Sequence, residues 1–196
     1  MKLTPDRLNP AVNSPAQQKV LTGFGIGSNI EPERHIHTAL SALCREFPDL
    51  LISPIYRCKA VGFDGAPFLN LVVASRNTQP LSALQALVKR LEAASGRSGH
   101  ETKYSGRTLD IDILFHGGLV CRTDQIQLPR KDVVKYPYVL KPLTDILPDW
   151  VHPERHCTAA ELWQRLIDAA GSEQLLLEQH GVHPTDIRLD TPPRLV

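Results

Sequence analysis

Between residues 20 and 116 the hydrophobic pattern switches repeatedly between a period of two and a period of three to four, and this switching constrains the fold more than any other feature. "VLTGFGIGSN" alternates and then meets Gly, Ser and Asn, so it reads as a strand running into a turn. "EPERHIHTALSALCREF" follows with Ile36, Leu40, Leu43 and Phe47 on one face, an amphipathic helix with Pro32 in its first turn and Asn29 or a neighbour as its cap. "LLISPIYRCKAV" is a strand leaving into a loop, "GFDGAP" has turn chemistry, and "FLNLVVAS" is a second clear strand. "PLSALQALVKRLEAAS" carries Leu81, Leu84, Leu87, Val88 and Leu91 on one helical face. The polar loop "GRSGHETKYSG" then leads into a third strong strand, "RTLDIDILFHGG", with "LVCRTDQIQLP" as a hairpin return. The order β-α-β-β-α-β predicts an α+β, ferredoxin-like α/β/α sandwich with an antiparallel sheet. Beyond it, "KPLTDILPDWVHP" reads as a short helix between prolines, "TAAELWQRLIDAAGSEQLLLEQH" as one or two helices, and "PTDIRLDTPPRLV" as a loose tail.

Composition narrows the function classes. A chain of 196 residues with 42% hydrophobic content suits one domain with an appendage, and argues against general disorder. A formal net charge of +1 supplies no long-range pull toward nucleic acid or an anionic membrane. Cys44, Cys58, Cys121 and Cys157 are scattered without a CxxC pair, which favours free thiols of a reducing compartment over a disulfide frame or a zinc site. The eight histidines show no metal-ligand spacing. No apolar run approaches the roughly 20 residues of a membrane span. The polar start lacks the apolar segment of a secretory signal, so a cytoplasmic protein is expected.

The third strand carries the first chemistry. Strand side chains alternate, so Leu109, Ile111, Ile113 and Phe115 should face one way and Asp110, Asp112 and Leu114 the other. The two aspartates then lie about 6–7 Å apart at Cα on one face, where they repel unless protonated or neutralised. Hard carboxylate oxygens favour Mg²⁺, and two ions would bridge a polyphosphate. Pairing of one aspartate with an arginine, the other lying at a sheet rim, explains the same pattern. Arg107 stands at the loop-to-strand junction, suited to gripping phosphate or to neutralising those aspartates. Arg97 and Lys103 in the preceding loop are phosphate contacts or solvated charges. Phe68 and Asn70 share a strand face, which suits stacking and edge-bonding of a flat heteroaromatic ring, or a core phenylalanine beside an edge asparagine. Tyr138 is either a second stacking face or a core tyrosine. "GIGSN" lacks the GK[ST] ending of a P-loop.

Four stretches occur together in order: "GIGSN", "SPIYRCKAVGFDGAPFLN", "GRTLDIDIL" and "LPRKDVVKYPYVLKPL". Over about residues 20–155 the chain resembles the 6-hydroxymethyl-7,8-dihydropterin pyrophosphokinase family of the folate pathway. The resemblance implies a ferredoxin-like fold and transfer of the β,γ-pyrophosphoryl group of ATP to the pterin hydroxymethyl oxygen, with release of AMP. It implies that Asp110 and Asp112 bind two Mg²⁺, that Phe68 and Tyr138 sandwich the pterin, and that Asn70 bonds its edge. It places Cys58, Lys59 and Val61 in the pterin loop, where the family commonly has Thr-Pro. It places Glu92 near the mobile loop on the ATP side, and Arg97 and Arg107 on the phosphates as catalytic arginines. Pterin and ATP are the expected small-molecule partners, without nucleic acid or membrane, in a monomer or weak dimer.

Several positions depart from the family pattern. The loop's second arginine is Gly99, its tryptophan Tyr104, and its Gly-Pro is Ser105-Gly106. "PHYD" reads "PRKD", so Arg130 and Lys131 bring replacement positive charge to ATP, and a later arginine is Tyr136. The rewritten ATP side supports a second expectation, a pterin-binding paralogue acting as sensor or carrier. A third is another Mg²⁺-dependent nucleotidyl-transferring enzyme with its acceptor changed at Cys58-Lys59. The expected organisation is an arm at 1–19, a pyrophosphokinase-like domain at 20–157 and a helical extension with a tail at 158–196.

Overall fold

The computed structural model describes residues 18–96 and 106–187. The elements in chain order are β1 (Val20–Ser28), α1 (Pro32–Glu46), β2 (Leu51–Ile52), β3 (Tyr56–Cys58), β4 (Phe68–Asn77), α2 (Leu81–Ala94) and β5 (Asp110–His116). They continue with β6 (Cys121–Arg122), β7 (Gln127–Leu128), α3 (Asp132–Lys135), α4 (Pro137–Ile146), α5 (Ala159–Ala170), α6 (Glu173–His180) and β8 (His183–Pro184). The main sheet runs β5-β1-β4-β3-β8, with β2 also on β4, and every pairing is antiparallel. The expected βαββαβ core is therefore present, with its first and last strands adjacent and the last, β5, at the sheet edge. Among the described residues no helix is long and apolar enough to cross a membrane.

Strand β4 is buried on both faces and divides two cores. Leu69, Leu71 and Val73 point into a core with Phe24, Ile26 and the apolar stripes of α1 and α2. Phe24 stacks on Phe47 there, with centroids 5.8 Å apart. Val72 points the other way, into a core with Leu140 and Leu143 of α4, Leu162 and Trp163 of α5 and Leu176 of α6. Fully burying a side chain of this size stabilises by about 1.5–3 kcal/mol, so each helical layer is held by several such groups. Residues 159–176 thus share one core with β4 and β5. Helix α5 starts at a reciprocal capping box between Thr158 and Glu161 and stops at Gly171, whose φ of 93° suits glycine.

Several local expectations are corrected. Of Asn29 and its neighbours, the cap of α1 is Glu31, left-handed and without a side-chain capping hydrogen bond; Asn29 is used elsewhere. The strand expected within 50–61 is two short ones, β2 and β3, separated around Pro54. The fourth helix starts at Pro137 and contains Pro142, which carries no N–H for the carbonyl of Tyr138. Residues 183–184 are not loose: they pair as β8 with Tyr56 and Arg57. Phe115 does not follow Ile113. The register shifts where Phe24 pairs Ile113 and Gly23 pairs Phe115, leaving one extra residue in β5. Phe115 thereby joins Leu114 in the second core and stacks on Trp150 at 4.4 Å. The arm at 1–17 lies outside the described residues.

Gly23 makes room for this bulge, because a Cβ there would sit 2.3 Å from the Phe115 ring. Gly23→Ala is expected to destabilise the fold by about 1–3 kcal/mol through overpacking, read from the midpoint of urea denaturation.

Candidate active site

Paired residues in an antiparallel sheet share a face, so register alone places the site. Asp110 pairs Gly27, Gly27 pairs Asn70, and Asn70 pairs Tyr56, which makes one row across β5, β1, β4 and β3. The next row is Asp112, Gly25 and Val72. Two strand spacings separate the acidic strand from the asparagine, about 10 Å. Between them β1 presents only glycine. A Cβ on Gly27 would lie 3.0 Å from Asn70 Oδ1, and one on Gly25 would lie 3.2 Å from Leu114. The result is a cavity of about 290 Å³ floored by these glycines.

One end of the cavity is apolar and aromatic. Phe68 and Tyr138 line it together with Cys58, Lys59, Val61 and Asn70. The six residues expected to contact a flat ring are therefore brought to one end of one cavity. The Asn70 amide donates to the Cys58 thiol at 2.8 Å, and the side chain is almost fully buried. Burial raises the Cys58 thiol to about 12 despite that bond, so it stays protonated and unreactive at neutral pH. Burial also pushes the Tyr138 phenol above its usual range. Tyr138 stacks on Tyr136 with centroids 5.0 Å apart. Phe63, not expected from the sequence, also lines this end and meets Phe68 edge-on at 6.3 Å.

The other end is charged. Asp110, Asp112, Arg107 and Asp132 line it. Arg107 approaches Asp110 at 3.5 Å, and Arg130 bridges Asp112 at 2.8 Å and Asp132 at 3.1 Å. Burial raises the Asp112 carboxyl to about 6; the Arg130 guanidinium opposes this, and Asp110, Asp132 and Glu92 add to it. Even with an arginine beside it, desolvation keeps this carboxyl above its ordinary range. Among the described residues no group of three His, Cys, Asp or Glu side chains makes a metal cage. Two carboxylates on one strand face nonetheless suit Mg²⁺, which takes one or two protein carboxylates and completes its shell with phosphate and water.

Two side chains of "GIGSN" set the approach to β5. Asn29 Oδ1 accepts from the Arg107 N–H at 2.6 Å, while its amide donates to the Ala66 carbonyl at 3.0 Å. Ser28 donates to the Thr108 carbonyl at 2.6 Å. These bonds tie the loop before Phe68 to the residues that present Arg107. Glu92 accepts from the Ile111 N–H at 2.9 Å and so latches α2 to the sheet between the two aspartates; it does not line the cavity. Lys131 is exposed at the start of α3. Arg97, Gly99, Lys103, Tyr104 and Ser105 lie outside the described residues.

The sheet order and its two helical layers define a ferredoxin-like α+β protein, and the aromatic-to-acidic cavity defines a small-molecule site suited to a ring joined to a charged group. Residues 23–148 match the family model described as 7,8-dihydro-6-hydroxymethylpterin-pyrophosphokinase, and the chain belongs to that family. It is 33% identical over 133 residues to the 2-amino-4-hydroxy-6-hydroxymethyldihydropteridine pyrophosphokinase of Aquifex aeolicus, covering 66% of this chain and 82% of the relative. It is 35% identical over 137 residues to the protein of that name from Pseudomonas aeruginosa, covering 67% and 83%. The fold is similar to that of Plasmodium falciparum HPPK-DHPS, with a TM-score of 0.62 at 13% identity over 87% of this chain. This chain spans 46% of that longer one, and at such low identity the likeness is one of fold.

The raised Asp112 carboxyl gives a signed pH effect. The native state holds a proton that the unfolded chain releases between about 3.8 and about 6, so stability falls as pH rises through that window. The side chain keeps 40% of its surface in solvent, so screening reduces the effect to roughly 1 kcal/mol. In divalent-free buffer, Asp112→Asn is expected to raise the melting temperature by about 2–4 °C at pH 7.5. The gain should vanish near pH 4 in the same calorimetric series.

Proposed function

We propose that this protein transfers the pyrophosphoryl group of ATP to 6-hydroxymethyl-7,8-dihydropterin, releasing AMP. Family membership supports the reaction, and one observation carries it to this chain: a single cavity joins a ring-sized aromatic end to a paired-carboxylate end across a glycine floor. Phe68 and Tyr138 stack on the pterin, and the buried Asn70 side chain reads its hydrogen-bonding edge. Cys58, Lys59 and Val61 form the remaining wall. The ring's hydroxymethyl group is then aimed across β1 toward Asp110 and Asp112.

The hydroxymethyl oxygen attacks the β-phosphorus of ATP. An O–P bond forms there, the bond to the bridging oxygen of the α-phosphate breaks, and AMP leaves with that oxygen. Such a transfer depends on alignment and charge neutralisation, and no side-chain nucleophile is needed. Asp110 and Asp112 would hold two Mg²⁺. When bound, Mg²⁺ supplies positive charge to the polyphosphate and acidifies the attacking hydroxyl. Arg107 neutralises charge on the transferred group from the cavity wall, with Arg97 in the preceding loop assigned the same role. Arg130 and Lys131 add positive charge on the ATP side, and Glu92 keeps β5 in register.

Purified protein with ATP, Mg²⁺ and 6-hydroxymethyl-7,8-dihydropterin is expected to yield AMP and the pterin diphosphate in equal amounts, read by mass spectrometry. Asp110→Ala should lower kcat by at least about 100-fold, the scale of one lost electrostatic contact to the transition state. Retained Mg²⁺-dependent turnover in that variant would remove the metal assignment. Pterin binding in calorimetry without AMP release would instead point to a carrier.

A further inference from the structure

The wall at Cys58 and Lys59 is backed by a part of the chain beyond the family match at 23–148. Val182 is fully buried and forms one cluster with Tyr56 and Cys58. Phe68, Tyr138 and Leu177 pack against the same cluster. Both aromatics assigned to the pterin thus rest on a group that includes two residues from the C-terminal segment. Lys59 also runs along this segment: a Cβ on Gly181 would lie 2.9 Å from its Cγ and 3.1 Å from its Cδ.

The segment is firmly attached. β8 pairs with β3, His183 against Arg57 and Pro184 against Tyr56. Thr185 donates to the Ile55 carbonyl through both its N–H and its hydroxyl, each at 3.1 Å. The Val182 N–H donates to the Leu177 carbonyl at 2.9 Å, which turns the chain from α6 into β8. A second attachment reaches the helix that carries Tyr138. The Tyr56 hydroxyl donates to Asp145 at 2.6 Å, and Lys141 pairs with Asp145 at 2.5 Å. Trp163 of α5 donates to Glu173 of α6 at 3.3 Å, and Glu173 lies 4.0 Å from Lys141.

We propose that residues 177–184 are the outer support of the pterin-side wall: Leu177 and Val182 are positioning residues that fix Cys58, Phe68 and Tyr138, and the turn at Gly181 fixes the Lys59 stem. The proposal rests on the pterin reading above. Support of this kind acts on one substrate only, because the acidic end is built on β5, away from β3 and β8 in the sheet order. A purely architectural role would instead lower the amount of folded protein and leave the affinity of the folded fraction unchanged.

The test compares wild type, Val182→Ala and Val182→Ile in steady-state kinetics for both substrates and in equilibrium pterin binding by calorimetry. Val182→Ala is expected to raise the pterin KM and Kd about tenfold, with kcat and the ATP KM within about twofold. Val182→Ile should restore the pterin KM to within about threefold of wild type. If Val182→Ala does not fold, Gly181→Ala, which presses on the Lys59 stem without emptying the core, should raise the pterin KM selectively. An unchanged pterin KM and Kd in a folded variant would overturn the proposal, as would equal rises in both KM values. If wild type binds pterin but makes no AMP, the catalytic reading fails while the calorimetric comparison still decides this one. A wild type that binds no pterin overturns both.

Discussion

Everything at the site depends on β1 having no side chain where it crosses it. The strand sits between β5 and β4 and pairs with both, so any side chain on that face would separate the carboxylates from the asparagine. Gly25 and Gly27 satisfy this requirement, and their spacing of two keeps them on one pleat. Phe24 and Ile26, on the opposite face, anchor the same strand in the first core. A strand can therefore be both the central support of a fold and the open floor of its cavity. Gly23 extends the pattern by one step and serves a different end, giving Phe115 space to lie across the strand.

The charged end obeys a balance condition. Among the described residues Asp110, Asp112 and Asp132 line that end, Arg107 pairs with Asp110, and Arg130 pairs with Asp112 and Asp132. Burial, reinforced by the neighbouring carboxylates, holds the Asp112 carboxyl toward its protonated form against the pull of Arg130. Arg130 stands at that carboxyl and pairs with both Asp112 and Asp132. The arginine of "PRKD" thus acts on the electrostatics of the acidic strand itself.

Long periodic segments were legible from the sequence because periodicity is local. The strand at 20–28, the helices at 32–46 and 81–94, and the strand at 110–116 all follow from which residues repeat at two or at three to four. The common face of Asp110 and Asp112 follows from the same rule, and the cavity brings Phe68, Asn70 and Tyr138 to its other end. What was not legible depends on a distant partner. Phe115 was assigned the wrong side because a bulge exists only relative to β1. Asn29 is one candidate cap because Asn suits caps, but its side-chain bonds go to Arg107 and Ala66, 78 and 37 residues away, and the neighbour Glu31 takes the cap. Residues 183–184 carry no strand pattern; they became a strand because β3 had an unpaired edge. Phe63 had a trace in "GFDGAP", where one aromatic stands in an otherwise turn-forming stretch.

The pairing of β8 with β3 has a topological consequence. The Thr185–Ile55 hydrogen bond closes a loop of 130 residues, and the Thr22–His116 bond across β1 and β5 closes one of 94. Closure cost grows only with the logarithm of length, so the two differ by about 0.3 kcal/mol. What separates them is the length of the ladder: β1 pairs with β5 at six positions, and β3 with β8 at two. The acidic end is therefore held by a long ladder, and the wall behind Cys58 by a short one that opens locally at lower cost.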